Sequence, residues 1–121
     1  MTLGREAAGG LWQAAVEGRF KLEDGAAHEL AGHYDWLAQQ LQHRQAEVAR
    51  LQHLDGFGGF DSAQSLQRGF ESKATQAFEA LKAAEASAYK MKAAILRAAN
   101  LTDEVEAANA AAIAAAGREM T

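Results

Sequence analysis

Apolar residues recur along residues 24–54 at Leu30, Tyr34, Leu37, Leu41, Val48 and Leu51, in steps of 4, 3, 4, 7 and 3. This is a heptad seam with Arg44 at its one polar position. It predicts a helix about 45 Å long at about 1.5 Å per residue. The pattern resumes over residues 62–99 through Leu66, Phe70, Ala74, Ala77, Leu81, Ala84, Ala88, Met91, Ile95 and Ala98. Between the two lies Asp55-Gly56-Phe57-Gly58-Gly59-Phe60-Asp61, with three glycines in seven residues. Glycine reaches positive φ at little cost, so Gly56, Phe57, Gly58, Gly59 and Phe60 are predicted to form a turn. Two long heptad-patterned helices joined by so short a connection must run antiparallel.

Shorter segments flank the hairpin. Residues 3–18 carry Leu3, Ala7, Leu11, Ala14 and Ala15 at helical spacing, with Gly18 as the predicted stop. Asn100 is predicted to interrupt or bend the chain after the second long helix. Asp24, Asp61 or Ser62, and Thr102 are the predicted helix caps. Asp103, Glu104 and Glu106 give the last segment, 102–116, the acidic start that a helix dipole favours. Ala107 to Ala116 holds only Ala, Asn and one Ile, with little to bury, so fraying or disorder is expected near Gly117. The fold class is all-α: a long antiparallel helical hairpin with a shorter N-terminal helix and a C-terminal helical tail. Residues 1–121 form a single helical domain.

Composition thins the expected core. Of 59 apolar residues 30 are Ala, which favours helix but buries little surface. Phe78, Leu96 and Leu101 on the second long helix, and Trp36 and Leu54 on the first, fall off the seam. The N-terminal helix is expected to cover some of them. A second hairpin is expected to cover the rest, giving a four-helix bundle on dimerisation. Arg44 in the seam is expected to fix register. Trp12, Trp36 and Tyr34 are expected in core or inter-helix packing. Phe57 and Phe60 are expected to fold back onto the helix ends, with a docking tip as the other reading.

The formal charge is −4, and no basic stripe offers itself to a nucleic acid. The absence of Cys excludes disulfides and thiolate metal sites. No 18-residue apolar run is present, so no membrane span is expected. The start, MTLGREAAGGLW, lacks the basic and apolar regions of a secretory signal. By itself that implies a cytoplasmic protein, unless export reads folded helices.

Candidate chemistry is sparse. His28, His33, His43 and His53 are spaced 5, 10 and 10 residues, so no neighbouring pair shares a helical face as a metal pair should. Gly56-Phe57-Gly58-Gly59 lacks the Lys-Ser/Thr of a phosphate loop, and no strand precedes it. No G-x-S-x-G is present. No catalytic residue, cofactor or metal ligand is expected.

The arrangement resembles the WXG-type small proteins of actinobacterial type VII (ESX) secretion. Phe57-Gly58-Gly59 stands where that family has Trp-x-Gly, and the stretch from Gly56 to Ala74 is similar to its turn and second-helix start. Leu96-Arg97-Ala98-Ala99 leading to Glu106-Ala107-Ala108-Asn109 is similar to the region where an exported member carries Tyr-x-x-x-Asp/Glu. Thr102 and Glu106 occupy those positions here, so the acid is kept and the tyrosine is absent. The likeness covers about residues 19–113.

The resemblance implies a non-enzymatic hairpin that pairs with itself or a similar helical protein. It also implies a secretion substrate, or the partner of one, leaving the cell without a signal peptide. Thr102 in place of tyrosine departs from the family's export pattern and leaves the role of co-secreted partner open. The competing expectation is a cytoplasmic adaptor or immunity-like protein that binds a protein partner. Membrane action after export is disfavoured by the acidic charge.

Overall fold

A computed structural model describes residues 4–120; Leu3, expected at the start of the first helix, lies outside them. Four helices, α1 (Arg5–Val16), α2 (Asp24–Ala49), α3 (Asp61–Ala98) and α4 (Thr102–Ala116), carry nearly all the regular structure. A 3-10 turn (Arg50–Gln52) closes α2, and no strand occurs among the described residues. Asp24, Asp61 and Thr102 are each the first helical residue rather than the cap, and none of the three cap positions makes a side-chain hydrogen bond.

The 38-residue α3 is the axis, and each other helix packs against it. α2 runs antiparallel to it. Lys92 Nζ donates to Asp35 Oδ1 at 2.8 Å, Gln42 Nε2 to Glu85 Oε2 at 2.8 Å, and the Leu54 N–H to Glu71 Oε2 at 2.8 Å. α1 runs parallel to α3. Gly4 lies against Ser87, where an added β-carbon would stand 3.3 Å from Ser87 Cβ. Beyond α1 the Leu22 N–H donates to the Ala98 carbonyl at 3.1 Å.

α4 folds back antiparallel on α3. The reversal is made by Asn100, at φ 57°, with the Leu101 N–H bonded to the Leu96 carbonyl and the Asn100 N–H to that of Arg97. This is a Schellman-type stop with Asn in the left-handed position. In one continuous helix, Leu96 and Val105 would point to opposite sides, at about 100° per residue. The bend brings them together with Ala31, Ala93 and Ala108 in the central cluster, with Trp12 and Leu101 packed against it.

Alanine sets how these helices meet. Among the described residues, 14 of the 18 buried apolar side chains are Ala. The face that α2 turns to α3 is therefore Ala27, Ala31, Ala38 and Gln45, all buried. Methyl-sized side chains let the backbones approach closely and push larger neighbours to the edges of the contact.

This corrects the predicted seam. Leu30, Leu37, Leu51, Leu66 and Phe70 are exposed. Tyr34, Leu41, Val48, Leu81 and Met91 are half-buried; Ile95 is the one large seam residue that is buried, together with the seam alanines Ala74, Ala88 and Ala98. Conversely Phe78 and Leu96, predicted off the seam, are buried inside this one chain, Leu96 completely. The chain thus supplies all four helices of its own bundle.

Residues 107–116 continue the last helix, which ends at Gly117, with Ala108, Ala112 and Ala115 buried, because a row of methyls suffices against the alanines of α3. One further expectation falls. Arg44 points to solvent and pairs with Glu47 at 3.0 Å, so it does not set the register.

Candidate functional site

The leucine row of α2 and the apolar row of α3 flank one open valley instead of closing on each other. Toward the end of the bundle that holds α1, a hollow of about 340 Å³ is lined by Tyr34, Leu37 and Leu41 of α2, by Ala84, Ala88 and Met91 of α3, and by Gly4 and Ala7 at the start of α1. Toward the other end, one of about 290 Å³ is lined by Val48, Leu51, Leu54, Phe70, Ala74 and Ala77. Leu37 is 39% exposed, Leu51 48% and Phe70 53%. The valley therefore carries apolar side chains at heptad spacing along two helices, the arrangement a further helix packs into.

Among the described residues α1 reaches along α3 to Ser87, and the stretch of α3 before Leu81 packs against α2, the connection and, at Phe78, the segment after α4. There Gln67 Nε2 donates to the Leu54 carbonyl at 2.5 Å, tying the connection to the side of α3. Gly56 and Gly58, at φ 82° and 87°, make the turns that follow. Phe57 folds back, its ring centroid 6.2 Å from that of Phe70. Phe60 does not: it is 81% exposed at the tip. The expectation that both rings fold back thus holds for Phe57 and fails for Phe60. Trp36, on α2, is 62% exposed and is not packing within the chain.

Thr102 and Glu106 stand one turn apart on α4, both exposed. Glu104 between them meets His28 Nε2 at 2.9 Å and ties the start of α4 to the start of α2. Among the described residues no cluster of three or more His, Asp or Glu side chains could hold a metal ion. No helix among them is long and apolar enough to cross a membrane.

Opposite the valley, on the other flank of the α2–α3 contact, lies a polar centre that sequence reasoning missed. Glu85 is fully buried. Its oxygens accept hydrogen bonds from Gln42 and Gln45, each at 2.8 Å, and from both terminal nitrogens of Arg118. Gln42 Nε2 also lies 3.0 Å from the Tyr89 hydroxyl, and Gln45 Oε1 accepts from Arg118 Nη1 at 2.9 Å. The hydrogen bond to Glu85 pushes the Arg118 guanidinium above its ordinary value. Burial, then the Glu85 charge, raises the Tyr89 hydroxyl. Every buried side-chain polar atom among the described residues has a partner. One signal was available: Ala31, Ala38 and Gln45 recur every seven residues, a second heptad row one position from the leucines.

No family model matches the chain, and no curated protein or solved structure does.

Proposed function

We propose that this is a non-enzymatic helical protein that works by protein–protein association, its apolar valley receiving a helix of a second copy or of a similar helical partner. One observation carries the reading: heptad-spaced apolar side chains of α2 and α3 stand half-exposed along the same groove. An exposed apolar surface of that length and regularity is a feature of interaction sites. Leu37, Leu51 and Phe70 would be the contacts given up first on substitution.

The setting we propose is type VII secretion, as a substrate or the co-secreted partner of one. Its support is the sequence likeness around Phe57-Gly58-Gly59 and the exposed Thr102–Glu106 turn. Sedimentation of the wild type and of Leu37→Asp/Phe70→Asp tests association. The expected result is a dimer for the first, or a complex with a co-expressed helical partner, and a folded monomer for the second. A wild-type monomer at micromolar concentration that binds no such partner overturns the reading. Export is tested separately in culture filtrates of an actinobacterial host with and without the secretion ATPase. Retention inside the cell in both strains removes the secretion setting and favours the cytoplasmic adaptor.

A further inference from the structure

The buried charge of Glu85 is neutralised from an unusual direction. Its other hydrogen-bond donors, Gln42 and Gln45, are neutral amides. A carboxylate buried to this degree needs a cation to offset its lost hydration. That cation is not carried by α2 or α3. It is Arg118, two residues beyond the end of α4, reaching in from the solvent edge. Its side chain remains 36% exposed, whereas that of Glu85 is 0% exposed. Beside the pair, α2, α3 and the segment after α4 surround a hollow of about 390 Å³ with Ala46, Ala49 and Phe78 on its walls.

The geometry is that of a receptor for one side-chain type. Nη1 and Nη2 of Arg118 take one carboxylate oxygen each, and Nη1 also donates to Gln45 Oε1. Gln45 is oriented for this: its nitrogen serves Glu85 and its oxygen faces the guanidinium. A planar fork satisfies the three acceptors together, whereas an ammonium is a compact point charge without that fixed fork. The main chain of Arg118 is held only lightly, by Lys82 Nζ donating to its carbonyl at 3.2 Å and its own N–H bonded to the Ala115 carbonyl at 3.2 Å.

We propose that the Glu85–Gln42–Gln45 cavity is an arginine-side-chain receptor, filled in cis by Arg118, that accepts an arginine from another chain when Arg118 leaves. The end of α4 is thereby latched onto α3, and the latch opens by exchange of one guanidinium for another. The site lies on the opposite flank of α2 from the apolar valley and does not depend on it.

The probe is N-acetylarginine methylamide, titrated into the Arg118→Ala protein and followed by amide hydrogen exchange and calorimetry. Residues 108–115 are expected to exchange roughly tenfold faster in Arg118→Ala than in the wild type, because the latch no longer holds α4. The probe binds saturably and slows exchange around Gln45 and Glu85, while residues 108–115 stay fast, because a free guanidinium fills the site without tethering α4. The lysine analogue does not bind, and Glu85→Gln/Arg118→Ala does not respond. Where Arg118→Ala does not fold, the titration is read on Arg118→Lys, which keeps the charge and lacks the fork. In the wild type, excess probe accelerates exchange over residues 108–115 by competition. Absence of saturable binding, equal binding of the lysine analogue, or unchanged binding in the double variant overturns the proposal.

Discussion

Arg118, just beyond the last helix, closes its guanidinium on the fully buried carboxylate of Glu85 at the centre of α3. Their meeting fixes where α4 ends along α3, and with Gln45 it ties α4 to α2 as well. Removing one member of a buried pair leaves the other without compensation. Glu85→Ala is expected to cost about 3 kcal/mol in urea denaturation, and Glu85→Gln less, since it keeps the shape and part of the hydrogen bonding. A loss under about 0.5 kcal/mol for Glu85→Ala would place the pair among ordinary surface contacts.

Leu96 is the largest wholly buried apolar side chain and touches the cluster shared by α2, α3 and α4. Leu96→Ala is expected to destabilise by about 2–5 kcal/mol, measured by thermal or chemical unfolding.

The two rows of α2 respond in opposite ways. Ala38 is fully buried against α3, so Ala38→Leu is expected to force the helices apart at a cost of about 1–3 kcal/mol. Leu37, one residue away and 39% exposed, is expected to tolerate Leu37→Ala with under about 1 kcal/mol of change in the monomer. Its effect falls on association, read by sedimentation. Equal monomer destabilisation by both substitutions would contradict the assignment of faces.

Asn100 holds the left-handed position between α3 and α4. Asn100→Ala is expected to destabilise by about 1 kcal/mol, while Asn100→Gly is neutral or slightly stabilising. Circular-dichroism melts of the two variants read the difference.

Tyr89 supplies a pH dependence at the alkaline end. Its hydroxyl is raised above the ordinary 10.0, chiefly by burial and then by Glu85. The folded state therefore holds that proton more tightly than the unfolded chain does. The resulting stability is fully present below pH 10 and is lost as pH rises through the folded value. Urea midpoints above pH 10 are expected to fall more steeply in the wild type than in Tyr89→Phe. Parallel slopes would remove Tyr89 from the account.

The sequence by itself determined the elements. Proline-free heptad runs, the glycine-rich stretch 55–61, Gly18 and Asn100 mark four helices and their breaks, because helix periodicity and left-handed stops are local properties of the chain. Which face of each helix turns inward was decided only by the tertiary structure. The row of Ala31, Ala38 and Gln45 has the same seven-residue step as the leucines beside it, so periodicity alone weighs both equally and size favours the wrong one. Three helices crowding onto α3 favour the smaller row, since close approach of backbones gains contacts along the whole helix. That choice leaves the leucines half-exposed in the valley. The joining of Gln45, Glu85 and Arg118 was likewise hidden, because residues 40 and 33 positions apart meet only once the helices have docked.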